Sequence, residues 1–215
     1  MKALLFDLFG VFMKEQDAQG RARVEQAARL DEIGVTSADF WAAYKEFRDG
    51  LDAGDYDLHG YFTLIAERLG VTFPDMDGLA RTDYLSYAGE KPEVIAWLRE
   101  LAAADRHPAL LSNIIEELKD EILRDYDWLG LFEPRIFSCD VRLAKPDPEI
   151  FKLAVREINA AREARGEDPV APQDVLFVDD RPENVDGAAA AGLSGHVFTG
   201  LAGARQAVED FLAAK

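Results

Sequence analysis

The chain has 215 residues, of which 41 are acidic and 24 basic, giving a formal net charge of −17, and 48% are hydrophobic. That length and balance predict one globular domain, or one domain with a small insertion, with enough apolar residues for a real core, and exclude a disordered chain. The acidic surplus argues against nucleic acid or an anionic membrane as the main partner, since both need a basic footprint; a small anionic substrate, which responds to local charge, stays open.

Cys139 is the only cysteine, so an intrachain disulfide is impossible and a reducing compartment is expected. No apolar run approaches transmembrane length. The first residues carry one lysine and a short apolar run ending in Asp7, with no small-residue cleavage site, and do not read as a signal peptide. The expectation is a cytoplasmic protein.

In chain order, Ala3-Leu4-Leu5-Phe6 runs straight into Asp7, and Gly10 follows. An apolar run closed by turn chemistry predicts a buried parallel strand. After a polar stretch, Val24, Ala27, Ala28, Leu30 and Ile33 recur at helical spacing up to Gly34. Thr36 or Ser37 caps a second helix with Phe40, Trp41, Tyr44 and Phe47 on one face. Gly50 to Asp57 reads as turns, Leu58 to Leu69 as a third helix stopped by Gly70, and Pro74, Asp75 and Asp77 open a short fourth segment. No strand pattern appears from about residue 14 to about residue 88, which predicts an inserted helical block.

From Lys91 strands and helices alternate. Pro92 opens an amphipathic helix, and Pro108 to Leu111 is a short strand ending at Ser112-Asn113. Ile114 to Leu123 is helical, Arg135 to Ser138 a strand, and Asp147-Pro148 starts a helix carrying Ile150, Phe151 and Ala154. Arg162 to Pro172 reads as a polar loop. Val175 to Val178 is the clearest strand, ended by Asp179-Asp180; Pro182 to Ala191 is helical, Gly195 to Phe198 a last strand, and Leu201 to Ala214 a closing helix. This alternation predicts a doubly wound, Rossmann-like α/β fold with a parallel sheet.

If the strands are parallel, Asp7, Ser112-Asn113 and Asp179-Asp180 meet at one sheet edge, the edge where such folds bind ligands. Lys145 lies just before a helix and can join them. Each has a plainer reading: Asp7 as a turn cap, Ser112-Asn113 and Asp180 as helix caps, Lys145 as a solvated charge. Their order and strand placement together weigh against the plainer readings.

These residues resemble the haloacid dehalogenase-like (HAD) hydrolase superfamily over nearly the whole chain. The resemblance rests on Phe6-Asp7-Leu8-Phe9-Gly10-Val11, Leu111-Ser112-Asn113, Lys145-Pro146-Asp147-Pro148 and Phe177-Val178-Asp179-Asp180-Arg181-Pro182-Glu183-Asn184. It implies a Rossmann-like core over residues 1–13 and 85–215 with an α-helical cap inserted over residues 14–84. It also implies that Asp7 is a nucleophile forming an aspartyl-phosphate. Ser112, Asn113 and Lys145 would hold the phosphoryl oxygens, and Lys145 would also keep Asp7 ionised. Magnesium would be held by Asp7, the backbone carbonyl of Phe9, Asp179 and Asp180, with Asn184 orienting Asp180 from the next helical turn. The implied partner is a small phosphorylated molecule, with no nucleic acid or membrane, and the implied assembly a monomer or homodimer.

Phe9 departs from the family's phosphatases, which usually carry a second Asp there to protonate the leaving alkoxide. Such help is worth about 10²–10⁴-fold in rate. Three readings follow: a magnesium-dependent phosphatase without that acid; an enzyme similar to the 2-haloacid dehalogenases, whose halide leaves without a proton; and a catalytically weak relative with a binding or regulatory role. The acidic pair Asp179-Asp180 favours the first, because halide displacement needs no metal. A dehalogenase would also want a cap arginine for the substrate carboxylate, and Arg48 is available. His59, His107 and His196 are scattered and form no metal pattern; Cys139 reads as a small buried apolar residue. Trp41, Tyr44, Phe47, Tyr61 and Phe62 read as cap packing, with some facing the cleft.

Overall fold

The structure is a computed structural model that describes residues 1–87 and 89–214. Five strands, β1 (Ala3–Phe6), β2 (Ala109–Ser112), β3 (Arg135–Phe137), β4 (Val175–Asp179) and β5 (Ser194–Val197), form one sheet in the order β3-β2-β1-β4-β5. Every pairing is parallel. The apolar runs follow from this: residues of a parallel strand are buried on both faces. Leu4 and Phe6 of β1 point into one core with Leu110, Leu176 and Val178, while Ala3 and Leu5 point into the other with Ala109, Leu111 and Phe177. The chain winds outward from β1 to β3 and then returns to β4 on the opposite side. The order therefore reverses beside β1, and a crevice opens at the carboxyl ends of the strands there.

The helices of the described residues begin with a strand-free block, α1 (Ala18–Ala28), α2 (Leu30–Ile33), α3 (Ser37–Glu46), α4 (Arg48–Ala53), α5 (Leu58–Leu69) and α6 (Met76–Ser86). They continue with α7 (Pro92–Ala103), α8 (Glu116–Asp125), α9 (Ser138–Val141), α10 (Pro148–Ala164), α11 (Pro182–Ala190) and α12 (Leu201–Ala213). α7, α8 and α12 cover one face of the sheet, α10 and α11 the other. The core on the α7 face runs on into the helical block through Val24, Phe40, Tyr61 and Phe62. The chain leaves and re-enters the sheet domain side by side: Lys14 N–H donates to the Gly89 carbonyl and Lys91 N–H to that of Phe12, both at 2.8 Å.

Several local expectations hold, including the Thr36 and Asp147 caps; Asp57 and Asp75 also cap helices. Others change. The first predicted helix is broken at Arg29, whose left-handed backbone (φ 53°) ends α1 and starts α2. The stretch read as turns from Gly50 contains α4, which begins at Arg48 and stops at Gly54. Its two glycines suggest a loop, but Leu51 and Asp52 are buried and the tertiary contacts hold the turn. The short fourth segment is an eleven-residue helix, α6. The polar loop from Arg162 is partly helix: α10 runs to Ala164 because Arg162 is buried and its Nε donates to the Asp168 carbonyl at 2.7 Å.

Candidate active site

Asp7 follows directly on β1, and its backbone N–H still donates to the Val178 carbonyl at 2.9 Å, so the sheet ladder fixes its position. Lys145 comes from the loop between α9 and α10. Its Nζ donates to Asp7 Oδ1 at 2.5 Å and to Asp179 Oδ2 at 2.7 Å. Asp7 and Lys145 are each 5% exposed and Asp179 is 0% exposed, so the reading of Lys145 as a solvated charge is removed. Asn113 clamps this loop from the end of β2: its Nδ2 donates to the Lys145 carbonyl and its Oδ1 accepts from the Lys145 N–H, both at 2.9 Å. The Asn113 amide thereby positions Lys145, and Asn113 also lines the cavity above Asp7. Ser112 ends β2 fully buried, with Oγ 3.4 Å from the Asn113 carbonyl. The plainer capping role also fails, since α8 begins after Ile115 without a side-chain cap.

The two adjacent carboxylates differ sharply. Asp179 Oδ1 accepts from Arg181 N at 2.8 Å and from Asn184 Nδ2 at 3.0 Å, while Oδ2 accepts from Lys145 and, at 3.0 Å, from Asn184. Asn184 thus orients Asp179, five residues back, and the expectation that it orients Asp180 is corrected. Asp180 Oδ1 is buried with no hydrogen-bond partner. Gly10, at φ +82°, lies so close that a Cβ there would overlap the Asp180 carboxylate. This is the close approach that requires a glycine.

Burial pushes the Asp7 carboxyl up to about 8, with Asp179 adding to the rise and Lys145 opposing it. Burial also works against the charged form of Lys145, but Asp7 and Asp179 outweigh it and hold the ammonium above its ordinary pKa. Asp180 is pushed up to about 7, first by burial, then by Glu15 and Asp179. One ammonium facing three carboxylates leaves a local negative surplus that a cation would relieve. Asp7, Asp179 and Asp180 each offer an oxygen, all within 4.8 Å of one another. An all-oxygen donor set with one buried unpartnered oxygen fits a hard divalent cation such as magnesium.

Above this floor lies a cavity of about 300 Å³, closed on the far side by the helical block. Phe9 lines it, its ring edge-on to Tyr87 at 5.9 Å between centroids. So do Leu51, Leu58, Ile115 and Leu118. Arg48 also lines it: Nε donates to Asp52 Oδ1 at 2.9 Å and Nη1 to the hydroxyls of Tyr44 at 3.0 Å and Tyr87 at 3.3 Å. Tyr44 in turn donates to buried Asp83 at 2.9 Å. Of the cap aromatics, Tyr44 faces the cavity, while Phe40, Tyr61 and Phe62 pack inside the block. Glu15 and the Arg48–Asp52–Asp83 network were not visible in the sequence. The i, i+4 pair Arg48–Asp52 is a helical signal, hidden because that stretch reads as turns. Cys139 is partly rather than fully buried, with its thiol pushed up to about 11 by burial and by Asp140. No histidine joins the acidic cluster among the described residues.

The description of a haloacid dehalogenase-like hydrolase matches residues 1–192. The chain belongs to the haloacid dehalogenase-like hydrolase family. The sesquiterpene phosphatase AstK of Aspergillus oryzae is 24% identical over 207 residues, spanning 94% of this chain and 92% of that protein. HAD family enzyme BT-2542 of Bacteroides thetaiotaomicron, in complex with magnesium and inorganic phosphate, superposes with a TM-score of 0.63 at 21% identity, covering 92% of this chain and 93% of its own. The L-2-haloacid dehalogenase of Xanthobacter autotrophicus with chloropropionic acid covalently bound superposes with a TM-score of 0.63 at 24% identity, covering 100% and 85%. These likenesses establish the HAD fold, which phosphate-binding and dehalogenating members share. No helix among the described residues is long and apolar enough to cross a membrane.

Proposed function

We propose that this HAD hydrolase is a magnesium-dependent phosphatase of small phosphorylated molecules, working through an aspartyl-phosphate on Asp7. The observation that carries the reading is the unpartnered, buried Asp180 Oδ1 beside Asp7, in a site where three carboxylates face one ammonium. A halide-displacing enzyme has no use for that surplus of negative charge. Its cap arginine would need to be open to the substrate carboxylate, whereas Arg48 already pairs with Asp52. The sesquiterpene phosphatase relative and the magnesium–phosphate complex of BT-2542 support the same reading.

In this proposal Asp7, the Phe9 carbonyl and Asp180 hold the cation, and Asp179, saturated by its own hydrogen bonds, organises Lys145. Bound magnesium supplies positive charge against the phosphoryl oxygens and keeps Asp7 ionised. Asp7 attacks phosphorus from a position fixed by the β1 ladder. Lys145 and the Ser112 hydroxyl offset the charge that builds on the equatorial oxygens, and Asn113 keeps Lys145 in place. Residues 14–84 act as a cap that closes the cleft, excludes water and shapes it for one substrate.

Phe9 favours a second reading, a 2-haloacid dehalogenase, since halide leaves without an acid. The test is release of phosphate from p-nitrophenyl phosphate and acetyl phosphate with magnesium and with chelator, beside halide release from 2-chloropropionate. Magnesium-dependent phosphate release is expected. Halide release without it would select the dehalogenase. If neither occurs and Asp7→Asn binds inorganic phosphate as the wild type does, the chain is a binding protein.

A further inference from the structure

Two features of the cavity converge at Phe9. The first is chemical. The carboxyl groups lining the cavity each have another engagement: Asp52 takes Arg48, Asp83 takes Tyr44 and Gln16, Glu15 lies against Asp180, and Asp7 and Asp180 belong to the charged floor. None is left to protonate a leaving oxygen beside Phe9. The second is steric. Phe9 packs edge-on against Tyr87, and these two rings with Leu51, Leu58, Ile115 and Leu118 supply the apolar, partly aromatic part of the cavity lining. Of the two cations that the helical block contributes to the lining, Arg48 is tied to Asp52 and, through Tyr44, faces Asp83, while Lys45 is exposed.

From this juxtaposition we infer that the substrate is a phosphate ester with an apolar body and a weakly basic leaving oxygen, either a phenolic oxygen or the bridging oxygen of an apolar diphosphate. The inference rests on the phosphatase reading above and narrows it. Phenols ionise near pH 10 and a phosphate monoester gives up its second proton near pH 6, so both leave as anions without help. An alkoxide, about as basic as hydroxide with water at about 15.7, needs the acid that Phe9 lacks.

The step balances without a donor. An Asp7 oxygen forms a bond to phosphorus, the bond from phosphorus to the leaving oxygen breaks, and its electron pair departs on that oxygen, which takes a proton from solvent afterwards. Water then adds to phosphorus, the bond to Asp7 breaks, Asp7 recovers its carboxylate, and both water protons leave on dihydrogen phosphate. The apolar body stays against Phe9 and Tyr87 during the first step.

The experiment is a matched substrate panel assayed for phosphate release with magnesium: 1-naphthyl phosphate, geranyl diphosphate, octyl phosphate and acetyl phosphate. A general acid contributes about 10²–10⁴-fold, so 1-naphthyl phosphate or geranyl diphosphate should exceed octyl phosphate at least 100-fold in kcat/KM, which reports departure of the leaving oxygen and not hydrolysis of the shared aspartyl-phosphate. Whichever of the two is faster identifies the source of the leaving oxygen. Acetyl phosphate, with a good leaving group and no apolar body, should show a KM at least ten-fold higher. In Phe9→Asp the ratio of naphthyl to octyl kcat/KM should collapse. Equal kcat/KM for octyl and naphthyl phosphates would overturn the inference about the leaving oxygen, and equal KM values for acetyl and naphthyl phosphates the inference about the body. Failure of all four to release phosphate, acetyl phosphate included, would instead defeat the phosphatase reading itself.

Discussion

Replacing Lys145 by Met tests whether this ammonium compensates the charged floor. In the wild type it bonds Asp7 at 2.5 Å and Asp179 at 2.7 Å, and all three side chains are buried. Methionine keeps the length and removes the charge, leaving two buried carboxylates without their shared cation. Breaking a buried pair by removing one partner costs about 3–5 kcal/mol. For a chain of this size each kcal/mol is worth about 2–4 °C, so Tm should fall by about 6–20 °C in chelator at pH 8. The deficit should depend on pH with a definite sign. Without Lys145, which opposes the rise, the Asp7 carboxyl moves further above its unfolded value. Groups with raised pKa stabilise the fold below the unfolded value and lose that contribution as pH rises through the folded one. The Lys145→Met deficit should therefore be smallest near pH 5 and largest at pH 8. Thermal unfolding followed by circular dichroism at both pH values measures it. A Tm within about 2 °C of wild type at pH 8, or a deficit that grows toward acid, would refute the compensating role of Lys145.

Magnesium should raise the wild-type Tm and chelator should reverse the shift, since a ligand bound only to the folded state stabilises it by mass action; a Tm insensitive to millimolar magnesium would count against the site. Gly10→Ala places a methyl against the Asp180 carboxylate and an L-residue at φ +82°, at a conformational cost of about 1–2 kcal/mol. Differential scanning fluorimetry should show it losing the magnesium-induced shift; a wild-type response would refute the tight approach. Asp83, in the helical block, is pushed up from 3.8 to about 6, mainly by burial. It should cost the wild type about 3 kcal/mol of stability between pH 4 and pH 7. Asp83→Asn lacks that decline, so urea unfolding should find the variant gaining on wild type as pH rises, and parallel curves would refute the burial.

The centre of the sheet was legible because β1, β2 and β4 are apolar runs ending in a polar group, and residues buried on both faces leave that mark in sequence, whereas the edge strand β5 is only partly buried. The site was legible for the same reason: Asp7, Ser112 and Asp179-Asp180 are where those runs stop. What sequence could not show was which hydrogen bond each residue makes. Asn113 and Asn184 both stood beside the chemistry, yet one clamps the Lys145 backbone and the other holds Asp179. Both choices depend on how loops from different strands meet. α4 was hidden because its glycines and aspartates favour turns locally, and burial of Leu51 overrides them. Arg162 reads as a loop residue from its charge, but its guanidinium satisfies the Asp168 carbonyl from inside the fold.

The paired exit and return of the chain has a mechanical consequence. Residues 8–14 are bonded to the returning segment at Gly89 and Lys91, and the Lys91 ammonium also reaches the Gly10 carbonyl. The helical block is therefore slung from a two-ply strap that also carries Phe9 and Gly10. A swing of the block about that strap pulls on the loop beside Asp7 and Asp180. Any shift of the block at this strap is therefore transmitted to Phe9 and Gly10.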